Sequence, residues 1–209
     1  MIFSKDRKDR PGATRDTMIR LDEGDGFLKG KLLVATPLIE DSCFAKSVVL
    51  ICDHSASGGM GLVINKHLRN IDQQDLYTKL NLQKPVDSGA EIEVYFGGPV
   101  DTNRGFVIHS DDYETKNTIK ISPGVSVTSE HQVLSDYLNE RGPKKLSLIM
   151  GYSGWVGGQL EREVEENSWV ALPADVDLVF GTHDDSKWQK AGIKYGIDIN
   201  DITTVTGNA

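Results

Sequence analysis

Gly151-Tyr152-Ser153-Gly154-Trp155 comes within one residue of Gly-x-Ser-x-Gly, the strand-to-helix turn that lifts a nucleophilic serine above a sheet. The apolar run Leu146 to Met150 precedes it, and a short acidic helix from about Gln159 to Asn167 follows, so the context fits. The last position departs from the pattern. Trp155 stands where a small residue lets strand and helix approach. A triad in the order serine, acid, histidine would be completed by Asp175 or Asp177 with His183, an order that an acidic chain also meets by chance. Hydrolysis through Ser153, or through a site around Asp41 and His54, is therefore the alternative reading. With Trp155 in the elbow, Ser153 is expected not to be a nucleophile.

Other chemistry finds less support. Ser57-Gly58-Gly59-Met60-Gly61 is too short for a phosphate loop and leads into a strand, so it reads as a hairpin turn. The five histidines, His54, His67, His109, His131 and His183, form no His-x-x-x-His or His-Glu-x-x-His pattern, and no metal or cofactor is expected. Glu161 and Glu165 share one helix face, where acidic residues complement the helix dipole. Cys43 and Cys52 have no Cys-x-x-Cys spacing. A strand between them would span roughly 30 Å, far beyond disulfide reach, so both are expected to be free thiols in a reducing cytoplasm.

These residues need a scaffold. Leu32 to Ala35 reads as a first strand closed by Pro37, and Val48 to Cys52 as a second, covered on both faces. Asp53-His54 ends it, Ser55 to Gly59 turns, and Gly61 to Asn65 returns. With His54 opposite Met60, Asn65 falls near Val49 and Lys46, roughly 15 Å or more from His54. A helix across Asp72 to Leu80 is capped by Asn70 in this reading. Strands follow at Ile92–Phe96, Phe106–His109 and Asn117–Ser122, then a helix from about Glu130 to Glu140 stopped by Gly142-Pro143. After the Leu146–Leu172 stretch, Val176–Phe180 reads as strand. Ser186–Tyr195 reads as helix with Trp188, Ala191 and Ile193 as its apolar residues. Hairpins early and helices interspersed without βαβ alternation predict an α+β fold. Its sheet is expected to be mixed, largely antiparallel and partly barrel-like, with flanking helices.

Charge narrows the partners. Residues 1–20 hold six Lys/Arg and three Asp, a balance of +3, against −8 for the whole chain, which leaves −11 for the remainder. Nucleic-acid binding is therefore not expected of the acidic body. Residues 1–24 lack apolar periodicity and read as a flexible charged leader, with a short helix at Asp16 to Leu21, and residues 25–209 read as one domain. No stretch approaches a membrane span, and no secretory signal opens the chain.

A family resemblance rests on a set of motifs in order. These are Gly30-x-Leu-Leu-Val-Ala-x-Pro37, Asp41-x-x-Phe44-x-Lys46-Ser47-Val48-Val49, His54, Gly61-Leu-Val-Ile-Asn65-Lys66, Gly97-Gly98-Pro99-Val100, and Gly151-Tyr152-Ser153-Gly154-Trp155 with Gln159-Leu160-Glu161-x-Glu163. Over about residues 28–195 the chain resembles the AlgH/YqgE family of bacterial proteins. The resemblance implies an α+β fold with a compact, partly barrel-like sheet. Its members are described as candidate transcriptional regulators or as uncharacterised, with no catalytic residue or cofactor to carry over. No helix-turn-helix signature accompanies it here.

The favoured reading is a binding or regulatory module without catalysis, for a protein or small-molecule partner. Asp41, Lys46 and Asn65 converge on one end of the hairpin, and Tyr152, Trp155 and Gln159 crowd a second corner. The expectation is that the two corners abut and form one cleft.

Overall fold

Strands form where aliphatic and β-branched residues run together between turn residues. The computed structural model describes residues 27–83, 89–182 and 184–199. The expected leader, residues 1–24, lies outside the described residues, as do His183 and the stretch after 199.

Among the described residues, nine strands form one sheet: β1 (Lys31–Ala35), β2 (Val48–Ser55), β3 (Gly58–Val63), β4 (Val94–Phe96), β5 (Val100–His109), β6 (Ile119–Ser122), β7 (Val125–Thr128), β8 (Leu146–Val156) and β9 (Trp169–Pro173). Flanking them among the described residues are the α-helices α1 (Gln73–Lys79), α2 (Gln132–Leu138), α3 (Gln159–Glu165) and α4 (Asp184–Lys194). The sheet order is β6-β7-β5-β8-β3-β2-β1-β9, and β4 pairs with β8 off this path. Only the β4–β8 pairing is parallel among the described strands. The fold is α+β with a mixed, largely antiparallel sheet. Ile121 on one edge strand and Leu172 on the other share a single buried cluster, so the sheet curls into a half-barrel.

Both faces are covered. The cluster inside the curl takes Leu32, Leu50, Leu62, Ile108 and Ile149 from the strands and Trp188 and Ala191 from α4. Trp188 Nε1 donates to Ala35 O at 2.7 Å and docks α4 on β1. Outside, α3 lays Leu160 over Val49, Ile51, Trp155 and Trp169, while α1 and α2 cover Val107 and Leu148 with Tyr77 and Leu134. This two-sided burial explains why β2 reads as an unbroken apolar run.

Five local expectations are corrected. β8 does not break at Gly151; it runs on through Val156, and the helix begins only at Gln159. Gly151 takes a positive φ of 73°, and a Cβ there would lie 2.6 Å from Gly98 O, so the glycines let the Gly97-Gly98 segment press onto β8 rather than turn the chain. β2 continues past Asp53-His54 to Ser55 and turns on Ala56-Ser57 alone. The α1 cap is Asp72, whose Oδ1 accepts from Gln74 N and Asp75 N; Asn70 lies two residues too early. Val176–Phe180 is not a strand. Asp175 accepts from Leu178 N at 2.9 Å and starts a π-helical turn, Asp177–Gly181, which turns Leu178 and Val179 into the inner cluster. Ile193 of α4 is 77% exposed, and the buried face of the helix holds Lys187 beside Trp188 and Ala191. The pairing of β6 with β7 is a further hairpin that its short apolar run did not announce.

Candidate functional site

The segment between β1 and β2, residues 36–47, is shaped from within. Asp41 Oδ1 accepts from Cys43 N at 2.7 Å, and Asp41 O accepts from Phe44 N and Ala45 N. Asp41 is thus the organiser of a turn. Asn65, just past β3, closes the same end of the hairpin. Its Oδ1 accepts from Val48 N at 2.8 Å and its Nδ2 donates to Lys46 O at 2.9 Å. Lys46, at a φ of 56°, swings its Nζ over the Trp188 ring at 5.9 Å from the centroid. Lys66 Nζ donates to Ser42 O at 2.6 Å. Burial lowers the Lys66 ammonium below its ordinary value, offset in part by nearby Cys43 and Asp41.

The same segment walls two recesses. One, about 280 Å³, lies between Lys46, Asn65, Asp184 and Trp188. The other, about 370 Å³, is lined by Ile39 and Phe44 of the segment and by Trp155, Gln159, Glu163 and Trp169. In the second, the Glu163 carboxylate is the hub. Its Oε2 accepts from Trp155 Nε1 at 2.9 Å and Trp169 Nε1 at 2.8 Å, and its Oε1 from Gln159 Nε2 at 2.8 Å. Gln159 Oε1 in turn accepts from Val156 N at 3.1 Å, which fixes the start of α3 on the end of β8. Phe44 and Trp155 each stand edge-to-face against Trp169, with centroids 5.9 and 6.1 Å apart.

Of the six residues expected to share a cleft, Lys46 and Asn65 line one recess and Trp155 and Gln159 the other. Asp41 lines neither of these two and instead organises the turn that carries Phe44 to one and Ala45 to the other. Tyr152 stands elsewhere: it packs on the inner cluster, edge-to-face with Phe106 at 6.0 Å, on the opposite face of β8 from Trp155. The period-two alternation of a continuous strand puts positions 152 and 155 on opposite faces, which a turn at Gly151 would not have done.

Among the described residues, the groups expected for hydrolysis are not brought together, and His183 lies outside them. Ser153 is fully buried within β8, and its Oγ donates to Gly97 O at 3.1 Å, a carbonyl that also accepts from Val63 N. Asp41 precedes β2 and His54 lies near its far end. His54 Nδ1 accepts from Leu28 N at 3.0 Å, and Nε2 lies 3.4 Å from Glu161 Oε1. Ser153→Ala is expected to cost about 1 kcal/mol, one hydrogen bond with Gly97 O still paired, and to leave no difference in labelling by a fluorophosphonate. Stoichiometric labelling of the parent that disappears in the variant would restore the serine reading. Among the described residues, no cluster of three or more His, Cys, Asp or Glu side chains is placed to hold a metal, and no helix is long and apolar enough to cross a membrane.

A cavity of about 570 Å³ was not legible as a site. It opens on the other side of the α4 N-terminal turn, between Glu93, Tyr95, Lys145, Thr182, Asp184 and Lys187. Lys187 is only 2% exposed. Its Nζ donates to Ile64 O at 3.0 Å and Val179 O at 2.9 Å, and lies 3.5 Å from Asp184 Oδ1. Tyr95 OH donates to Glu93 Oε2 at 3.0 Å, and burial with the Asp184 and Glu93 carboxylates nearby pushes its phenol up. One signal was available: Glu93 and Tyr95 alternate on one strand face, and Lys187 sits four before Ala191 on the buried face of α4.

Comparison with known proteins gives a consistent picture. A family model described as AlgH-like (DUF179) matches residues 32–200. A UPF0301 protein of Afipia carboxidovorans is 39% identical over 194 residues, covering 89% of this chain and 92% of its own. One from Bradyrhizobium sp. is 41% identical over 191 residues, covering 88% of each. The solution structure of the AlgH protein from Pseudomonas aeruginosa superposes with a TM-score of 0.69 at 31% identity, covering 88% of this chain and 96% of that one. A Corynebacterium diphtheriae protein, DIP2367, shares the fold with a TM-score of 0.66 at 19% identity, covering 82% and 89%.

Proposed function

The chain belongs to the AlgH-like family, and we propose that it acts as a binding module without catalytic turnover, taking the cationic end of its ligand into the Glu163 recess. One observation carries this reading. A carboxylate stands among three aromatic rings, held by two indole N–H groups and an amide, with Glu166 also at the recess. Three of its roughly four acceptor positions are used, which leaves one for an ammonium or guanidinium group beside aromatic faces. A small molecule or a basic side chain of a protein partner would meet that chemistry. Any regulatory role would run through this ligand rather than through nucleic acid, in keeping with the −11 balance of residues 21–209. The free thiols Cys43 and Cys52 support placing the protein in a reducing cytoplasm.

Trp155 and Trp169 make the recess its own reporter. Titration with arginine amide is expected to change the tryptophan emission saturably, while its uncharged analogue citrulline amide does not. Glu163→Gln is expected to weaken the response at least about tenfold. An unsaturable response, or one that citrulline amide reproduces, would remove the reading.

A further inference from the structure

We propose that the 570 Å³ cavity binds an α-amino acid with an apolar side chain as its zwitterion, the ammonium group among Glu93, Tyr95 and Asp184 and the carboxylate against Lys145. This cavity shares no lining residue with the Glu163 recess, so neither proposal depends on the other.

The ammonium end is set by one phenol between two carboxylates. Tyr95 OH donates to Glu93 Oε2 at 3.0 Å, and the Asp184 carboxylate stands beside the same oxygen. A phenol has a single proton to donate. Burial, with the Asp184 and Glu93 charges, pushes the Tyr95 phenol up, so it keeps that proton and gives it to Glu93. Towards Asp184 it presents a lone pair, and two acceptors face each other. A cationic N–H donor reconciles them. Lys187 is not that donor, because its three N–H groups are directed at Ile64 O at 3.0 Å, Val179 O at 2.9 Å and Asp184 Oδ1 at 3.5 Å. It offsets one of the two carboxylates and leaves the charge of the other. A primary ammonium brings three donors, and Glu93, Asp184 and Tyr95 Oη offer three acceptors.

The charges around the cavity favour a ligand of no net charge. Among the described lining residues, Glu91, Glu93 and Asp184 balance Lys144, Lys145 and Lys187. Lys144 Nζ lies 3.9 Å from Asp112 Oδ2, away from the cavity lining. Lys145 instead holds its Nζ over the Phe180 ring of the lining, 5.9 Å from the centroid, where it can meet a carboxylate. Glu93 immediately precedes β4 and Lys145 immediately precedes β8, and these strands pair in parallel with Val94 beside Leu148. The two residues therefore start on adjoining strands about two positions, roughly 7 Å, out of step. An α-amino acid, whose opposite charges sit on one carbon, fits between them. Leu146, Tyr137 and Phe180 line the space left for its side chain.

L-phenylalanine is a suitable probe, with phenethylamine and 3-phenylpropionate as analogues that each lack one charge. The full-length protein is titrated calorimetrically with all three up to about 10 mM. L-phenylalanine is expected to bind saturably, and each analogue at least about tenfold more weakly. Glu93 and Lys145 are exposed, so their substitution spares the fold. Glu93→Gln and Lys145→Met are each expected to weaken L-phenylalanine at least about tenfold, whereas Glu163→Gln leaves it unchanged. Absence of saturable binding would overturn the proposal, and so would binding indifferent to Glu93→Gln or to Lys145→Met. Phenethylamine bound as tightly as L-phenylalanine, and equally weakened by Glu93→Gln, would mark a plain amine site and overturn it too.

Discussion

Trp155→Ala is expected to cost about 3–5 kcal/mol, the range for removing a large aromatic side chain from a packed core. The indole is 8% exposed, packs with Leu33, Val49, Val63 and Leu160, and stands edge-to-face against Trp169. Its N–H is one of three that hold Glu163 in place. Truncation removes both the packing and that bond, so α3 loses part of its attachment to β8 and β9. Trp155→Phe keeps most of the ring area and loses the N–H; about 1.5–3 kcal/mol is expected, in line with one hydrogen bond to a charged group. Urea unfolding of the three proteins gives the comparison. A loss below about 1 kcal/mol for the alanine variant would mean that the ring lines a water-filled cleft and supports little of the fold.

Stability is expected to fall steeply in alkali because of Cys52. The thiol is buried in the inner cluster with Sγ directed at Leu50 O at 3.6 Å. Burial pushes its pKa from 9.0 up to about 12, with a lesser raising effect from Asp53 and a lowering one from Lys29. The unfolded thiol gives up its proton near pH 9, while the folded one keeps it. The unfolded state therefore binds fewer protons between pH 9 and 12, and the folded state loses about 1.4 kcal/mol per pH unit across that window. The full stability is present below pH 9, and about 4 kcal/mol is gone by pH 12. Cys52→Ala removes this slope. Tyr77 and Tyr95, whose phenols are also raised, add a slope of the same sign above pH 10, and Lys187, lowered by burial, adds one of opposite sign. All three remain in the variant, so the difference between parent and Cys52→Ala isolates the thiol. Parallel pH dependences in the two proteins would show that Cys52 ionises as freely folded as unfolded.

The hairpin of β2 and β3 shows how far local pattern reaches. Its two apolar runs and Gly-rich turn were readable, and Asn65 does close the Lys46 end. The bulge was not readable. Ile51 pairs with Gly61 and Asp53 with Met60, so Cys52 is the extra residue. One inserted residue reverses the alternation, and His54 turns outward to Leu28 and Glu161 while Cys52 stays on the inner cluster. Nothing local marks that position, because its cause is the fit of β2 against two neighbouring strands.

The sequence by itself determined the α+β class, most strands, the helix positions, the acid balance and the family resemblance. These follow from residues within a few positions of one another, through alternation, capping and turn chemistry. Tertiary structure alone decided the run of β8 through Gly151-Tyr152-Ser153-Gly154-Trp155. The glycines there answer the close approach of Gly97 and Gly98, more than fifty residues away. It also decided which polar groups meet. Glu163 lies within ten residues of both tryptophans it binds, so α3 could be read with them, whereas Lys187 is held by a carbonyl 123 residues distant in the chain. A buried lysine is stable only where folding delivers acceptors to it, and no spacing along the chain records where those acceptors will come from.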